Sequence, residues 1–87
     1  MTIYDSTLIQ QGYMPSITDD VPTSELPEEV NSIKYIGYFK DGNPSTAIIE
    51  RIEKSGRFTY IRYPFGQKMP KFDWDERENY PYEHDKN

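Results

Sequence analysis

"STAIIERIEKSGRFTYIRYPF", Ser45 to Phe65, is the stretch on which the fold turns. Its first half admits two conformations. Ala47, Ile48, Ile49, Glu50 and Arg51 all tolerate a helix, whereas the short length, the turn residues at both ends and the β-branched content favour a strand. The second half, rich in Phe, Tyr, Ile and Thr, reads as a strand, and "KSG" between the two places Gly56 where a positive φ is needed. Upstream, "SIKYIGYF" repeats the strand composition and "KDGNP" supplies a second turn, with Gly42 at its tight position. The expected fold is mainly β: a three-stranded antiparallel meander from about residue 33 to 65, curled like an SH3-type half barrel. A small α+β fold with a helix over 46–54 is the competing expectation.

Alternation predicts a sheet that is apolar on both sides. In the first strand Ile33, Tyr35 and Phe39 point one way and Ile36 and Tyr38 the other. In the third, Phe58 and Tyr60 oppose Ile61, Tyr63 and Phe65. Both faces then need covering, and the segments outside the meander are the material available. The N-terminal arm, residues 1–32, reads as mostly irregular. "DSTLIQQG" has the signature of a brief helix with Asp5 as N-cap and Gly12 just past its end, and "PTSELPEEV" that of a single turn capped by Thr23 or Ser24. The C-terminal arm, 69–87, interleaves Phe72, Trp74, Tyr80 and Tyr82 with carboxylates, and its last five residues, 83–87, are expected to fray.

Charge divides along the same boundaries. The chain has 87 residues and a net charge of −5. Residues 1–32 hold six carboxylates and no Lys or Arg, residues 33–68 seven cations against three carboxylates, and residues 69–87 three cations against six carboxylates. A basic centre between acidic arms bears on association before it bears on fold. With 34% hydrophobic residues and seven prolines, one small domain with a thin core is expected. The absence of cysteine removes disulfides, thiolate nucleophiles and Cys-ligated zinc, and fits a cytoplasmic setting. No membrane span or secretory signal is expected from the apolar runs.

Catalysis is the weakest class. The single histidine, His84, lies in the tail, where no Ser or Cys partner can be held beside it. "EHD" is too mobile a setting for a designed metal site, and the pairs Asp73 with Asp75 and Glu76 with Glu78 recur on any solvated acidic loop. The five glycines lie singly and form no phosphate-binding loop. No enzyme activity, cofactor or metal is expected.

Two binding expectations remain. "GRFTYIRY", Gly56 to Tyr63, resembles the RNP1 strand of RNA-recognition domains, with Phe58, Tyr60, Ile61 and Tyr63 on the positions that take aromatic or aliphatic residues. Gly56 and Arg57 stand in reversed order, Thr59 replaces the small residue, and the surrounding β-α-β-β-α-β frame is missing. That resemblance implies a single-stranded nucleic-acid site made of Lys54, Arg57, Phe58, Tyr60, Arg62 and Lys68. Against it, the strand aromatics suit cross-strand core pairs, and the acidic arms repel phosphates. The preferred expectation is a non-catalytic module that binds a partner protein with a basic surface, such as a nucleic-acid-processing enzyme, through Asp73, Trp74, Asp75, Glu76, Arg77, Tyr80 and Tyr82. Carboxylates set among aromatic rings imitate the phosphates and bases of DNA. In being short, acidic, tyrosine-rich and free of cysteine, the chain resembles the inhibitors that phages and mobile elements direct at host or defence enzymes. Trp74 and Phe72 have a competing role as plugs of the sheet. A third expectation is an accessory subunit whose arms order only within a complex.

Overall fold

The structure is a computed structural model that describes residues 4–40 and 46–86. The expected Gly42 turn lies outside the described residues. The fold is mainly β: one five-stranded antiparallel open sheet with short helical turns, its strands in the order β1-β2-β3-β4-β5. They run Met14–Asp20 (β1), Ser32–Phe39 (β2), Ile48–Ser55 (β3), Phe58–Pro64 (β4) and Tyr82–Glu83 (β5).

The segment over 46–54 is a strand. β3 pairs with β2 from Ile48 to Lys54 and with β4 from Arg51 to Ser55, and Gly56, at φ 61, opens the two-residue turn to β4. A positive φ at the first turn position alone is the II′ geometry that matches the twist of a hairpin. The expected three strands are thus the middle of a wider sheet. The arms are less irregular than expected, because residues 14–20 form the edge strand β1 against β2, and Tyr82–Glu83 pairs with Tyr63 and Pro64 of β4. β1 escaped notice because Pro15 and the pair Asp19 and Asp20 are poor strand residues in isolation. The register shifts between Pro15 and Ile17, which accommodates the proline at the edge.

The brief helix is present as α1, Ser6–Gln10, with the Asp5 side chain accepting from the Thr7 and Leu8 amides and Gly12 at φ 94 beyond its end. A single 3₁₀ turn occupies Thr23–Glu25, but its cap position is Pro22 and no side chain caps it, so Thr23 and Ser24 lie inside the turn rather than before it. The tail is anchored through Glu83 in β5 and through the Lys86 amide, which donates to the Gly66 carbonyl.

Both faces of the sheet are apolar, and each is covered differently. On the front face, Ile33, Tyr35, Phe39, Ala47 and Ile49 pack with Phe72 and Trp74, and Val21, Leu26, Val30, Tyr80 and Tyr82 close the margins. On the back face, Ile36, Tyr38, Ile48, Ile52 and Tyr63 pack with Leu8 of α1, and Tyr13 adds to the rim. Phe65 leaves the side that alternation gave it. It takes φ 55 just past β4 and stacks on Phe72 and meets Tyr80, both of the front cluster.

Candidate functional site

Three groups of side chains bear on function, and the C-terminal arm holds the first. Phe72 bridges to Ala47, and Trp74 begins a 3₁₀ turn, Trp74–Asn79, whose N-cap Asp73 accepts from the Asp75 amide at 3.0 Å. Trp74 is only 8% exposed. It fits because β2 has Gly37 beneath it, where a Cβ would come within 2.8 Å of the indole. Arg77 stacks on the same indole at 4.6 Å and forms an ion pair with Asp19 of β1 at 2.9 Å. The Tyr80 hydroxyl accepts from the Asp73 amide, while the Tyr82 hydroxyl donates to the Arg77 carbonyl. Burial, with the neighbouring Tyr35 adding to it, pushes the Tyr82 phenol upward from its ordinary value. The rings therefore face the sheet and hold the turn, while Asp73, Asp75, Glu76 and Glu78 are exposed on it. Of the seven residues expected to bind a partner, Trp74 lies in the core, Arg77, Tyr80 and Tyr82 are half-buried, and Asp73, Asp75 and Glu76 meet solvent.

The second group is the β3–β4 hairpin. Phe58 and Tyr60 share the front face with rings 6.3 Å apart, and Arg62 lies over Tyr60 at 4.7 Å. Glu53 accepts a hydrogen bond from Arg51 at 3.0 Å and forms an ion pair with Arg62 at 3.7 Å. Lys54 pairs across to Thr59 and so belongs to the back face, and Arg57 sits in the turn. Lys68 lies elsewhere, in an ion pair with Asp5 and over the Tyr63 ring at 5.5 Å. The six residues expected to grip nucleic acid are thus divided: Phe58, Tyr60 and Arg62 form one ladder, and Lys68 is drawn into the back of the sheet.

The third group was not foreseen. Glu50 is 2% exposed at the centre of the back face, where its carboxylate accepts from the Tyr38 hydroxyl at 3.1 Å and the Tyr63 hydroxyl at 3.3 Å. The Tyr38 oxygen in turn accepts from the Asp5 amide at 2.8 Å, and the Tyr63 hydroxyl also reaches the Asp5 carboxylate at 3.3 Å. Burial pushes the Glu50 carboxyl up despite both tyrosine bonds, and it raises both phenols too. Burial also works upward on Asp5, but the bond from Lys68 and the amides of Leu8 and Thr7 outweigh it and hold that carboxyl below its usual range. The signal was in the sequence: Ile48, Glu50 and Ile52 alternate onto one face, which sets a carboxylate between two isoleucines.

Among the described residues, no group of three or more His, Asp or Glu side chains is placed to hold a metal ion, and no helix is long and apolar enough to cross a membrane. No protein-family model, curated protein or solved structure matches the chain.

Proposed function

We propose that the protein is a non-catalytic binding module that engages a basic surface of a partner protein through the carboxylates of the 73–78 turn. One observation carries this reading: the aromatic side chains of the arm are spent on the sheet, so the turn presents Asp73, Asp75, Glu76 and Glu78 from a fixed backbone. A pre-ordered acidic turn loses little freedom on docking, and its field favours a cationic partner and speeds encounter. Arg77 does not dilute that field, since Asp19 and the Trp74 ring already hold its guanidinium. A nucleic-acid-processing enzyme offers a cationic groove of the required kind, and an inhibitor or DNA mimic would occupy it. The half-barrel likeness to SH3-type folds stays in this proposal as an expectation about curvature, supported by the unbroken meander order of the strands.

The test is capture on the immobilised protein from extracts of its source cells, compared with an Asp75→Lys/Glu78→Lys variant. Both substituted side chains are exposed, so the variant should melt like the parent. A protein retained by the parent, released by salt and missing from the variant supports the reading. Equal retention by both overturns it.

A second reading rests on the ladder of Phe58, Tyr60 and Arg62. Phe58 is 59% exposed, and a ring in that position is available to stack on a base of single-stranded DNA or RNA. Binding of an oligothymidylate that weakens steeply with salt and is lost in Tyr60→Ala would favour it over the acidic turn.

A further inference from the structure

The long edges of the sheet are finished differently. β1 carries Pro15, a register shift and the carboxylates Asp19 and Asp20, which are devices that discourage another strand from adding. From Phe58 to Arg62, β4 carries none of these; its own proline, Pro64, lies beyond that stretch, where β5 pairs with it. Among the described residues β5 pairs only with Tyr63 and Pro64, and "FTYIR", Phe58 to Arg62, has a strand partner on one side alone. All five are residues that suit a strand or tolerate one, and Phe58 and Ile61 are 59% and 38% exposed.

The hairpin turn determines which backbone groups this edge offers. Ser55 and Phe58 close a two-residue turn and so form a hydrogen-bonded pair. Phe58, Tyr60 and Arg62 then direct their N–H and C=O groups at β3, and Thr59 and Ile61 direct theirs outward. Tyr63, next in that outward series, is the residue that β5 pairs with.

We propose that the Phe58–Arg62 edge of β4 is a strand-addition site for an extended, acidic segment of a partner protein. The surface is separate from the acidic turn and goes beyond the function proposed above. Outward N–H and C=O groups at Thr59 and Ile61 complement a peptide backbone, which supplies both acceptors and donors; a phosphate chain would use the N–H groups only. Apolar side chains stand on both sides of the strand, Phe58 and Tyr60 in front and Ile61 behind, which suits the alternating side chains of an added strand. Charge selects the sign of the segment. Lys54 and Arg57 are exposed and have no ion pair among the described residues, and Arg51 and Arg62 share the single carboxylate of Glu53. A second copy of the chain would bring the same cations to the same edge and be repelled.

The probes are a capped hexapeptide alternating valine with glutamate, its lysine counterpart, and an oligothymidylate, each titrated into isotopically labelled protein. With the glutamate peptide the Thr59 and Ile61 amides should shift and become protected from hydrogen exchange, and the lysine peptide should bind at least about tenfold more weakly. Thr59→Pro removes only an outward N–H at an edge, so it should leave the melting curve in place and weaken the glutamate peptide by about tenfold or more. Should that variant fail to fold, Lys54→Glu/Arg57→Glu serves instead, and it should invert the preference between the two peptides. Equal affinity for both peptides, or unchanged affinity in the variant, overturns the proposal. So does self-association in sedimentation that Thr59→Pro abolishes, or displacement of the peptide by the oligothymidylate. The Asp75→Lys/Glu78→Lys variant should bind the glutamate peptide like the parent, so failure here is distinguishable from failure of the acidic turn.

Discussion

The two faces of the sheet are covered by different chemistry. On the front, rings close over rings: Tyr35 meets Tyr82 at 5.6 Å, Phe72 meets Tyr80 at 5.2 Å, and Trp74 lies on Gly37. On the back, a helix of five residues inserts one leucine and is otherwise tied down by polar groups, with Asp5, Tyr38, Glu50, Tyr63 and Lys68 linked in one network. A helix that short is marginal alone, so its position depends on hydrogen bonds and charge where the front depends on apolar area. The front should therefore resist changes of pH and salt, and the back should report them.

The contrast is tested most strongly at the front. Trp74→Ala should cost about 3–5 kcal/mol of stability, measured by denaturant unfolding, because it removes the largest ring of the cover and leaves a cavity. A loss of binding in that variant would report unfolding rather than a contact, which is why the exposed carboxylates are the better probes of function. Gly37→Ala comes next. Its Cβ would meet Ile17 and the Trp74 ring at 2.8 Å, tighter than packed atoms tolerate, and should cost about 1–3 kcal/mol. If the melting temperature instead stayed put, the indole would not be seated on β2 as described.

Local pattern made the hairpin at Gly56, the α1 cap at Asp5 and the two apolar sides of β2 legible in the sequence, since each depends on neighbours a few residues apart. What stayed hidden depends on distant partners. β1 is a strand because β2 offers it a ladder, although Pro15, Asp19 and Asp20 disfavour strand structure locally. For Trp74 the sequence left two roles open, plug of the sheet or partner contact, and the choice of plug depends on Gly37, 37 positions before it in sequence and directly beneath it in space. The charge pattern was legible only in outline. Asp5 and Asp20 of the N-terminal arm do reach Lys68 and Lys34 of the basic centre, but Arg51 and Arg62 are answered by Glu53 of that same centre, and Arg77 by Asp19 of the opposite arm. Glu50 alternates onto the back face in plain sight, yet its tyrosine partners come from β2 and β4 and Asp5 from beyond the sheet.

A smaller effect is expected at the helix cap. Asp5→Ala removes the acceptor for the Thr7 and Leu8 amides and the partner of Lys68, and should cost about 1 kcal/mol. Hydrogen exchange gives the sharper readout. Amides of α1 should lose protection while those of β2 and β3 keep theirs, since the helix opens locally before the sheet does.

The smallest effect, and the most specific, concerns Glu50 and pH. Its carboxyl titrates above the usual 4.5 in the folded protein, mainly because it is buried, so the folded state holds the proton more tightly than the unfolded chain. Stability from this group is full below 4.5 and declines as pH rises from there through the raised folded value. Asp5 has the opposite sign: its carboxyl titrates below 3.8, so its contribution is present above 3.8 and lost as pH falls through the lowered folded value. Glu50→Gln isolates the first limb. The amide can accept from Tyr38 and donate to the Tyr63 oxygen, leaving the single Tyr63 proton for Asp5, which is the pattern that protonated Glu50 would adopt. Chemical denaturation across pH should show the variant as stable as the parent near pH 4.5 and increasingly more stable above it, with the Asp5 limb at lower pH unchanged. A variant less stable than the parent at neutral pH would mean that the ionised carboxylate, held by its two tyrosines, is what fastens the back of the sheet.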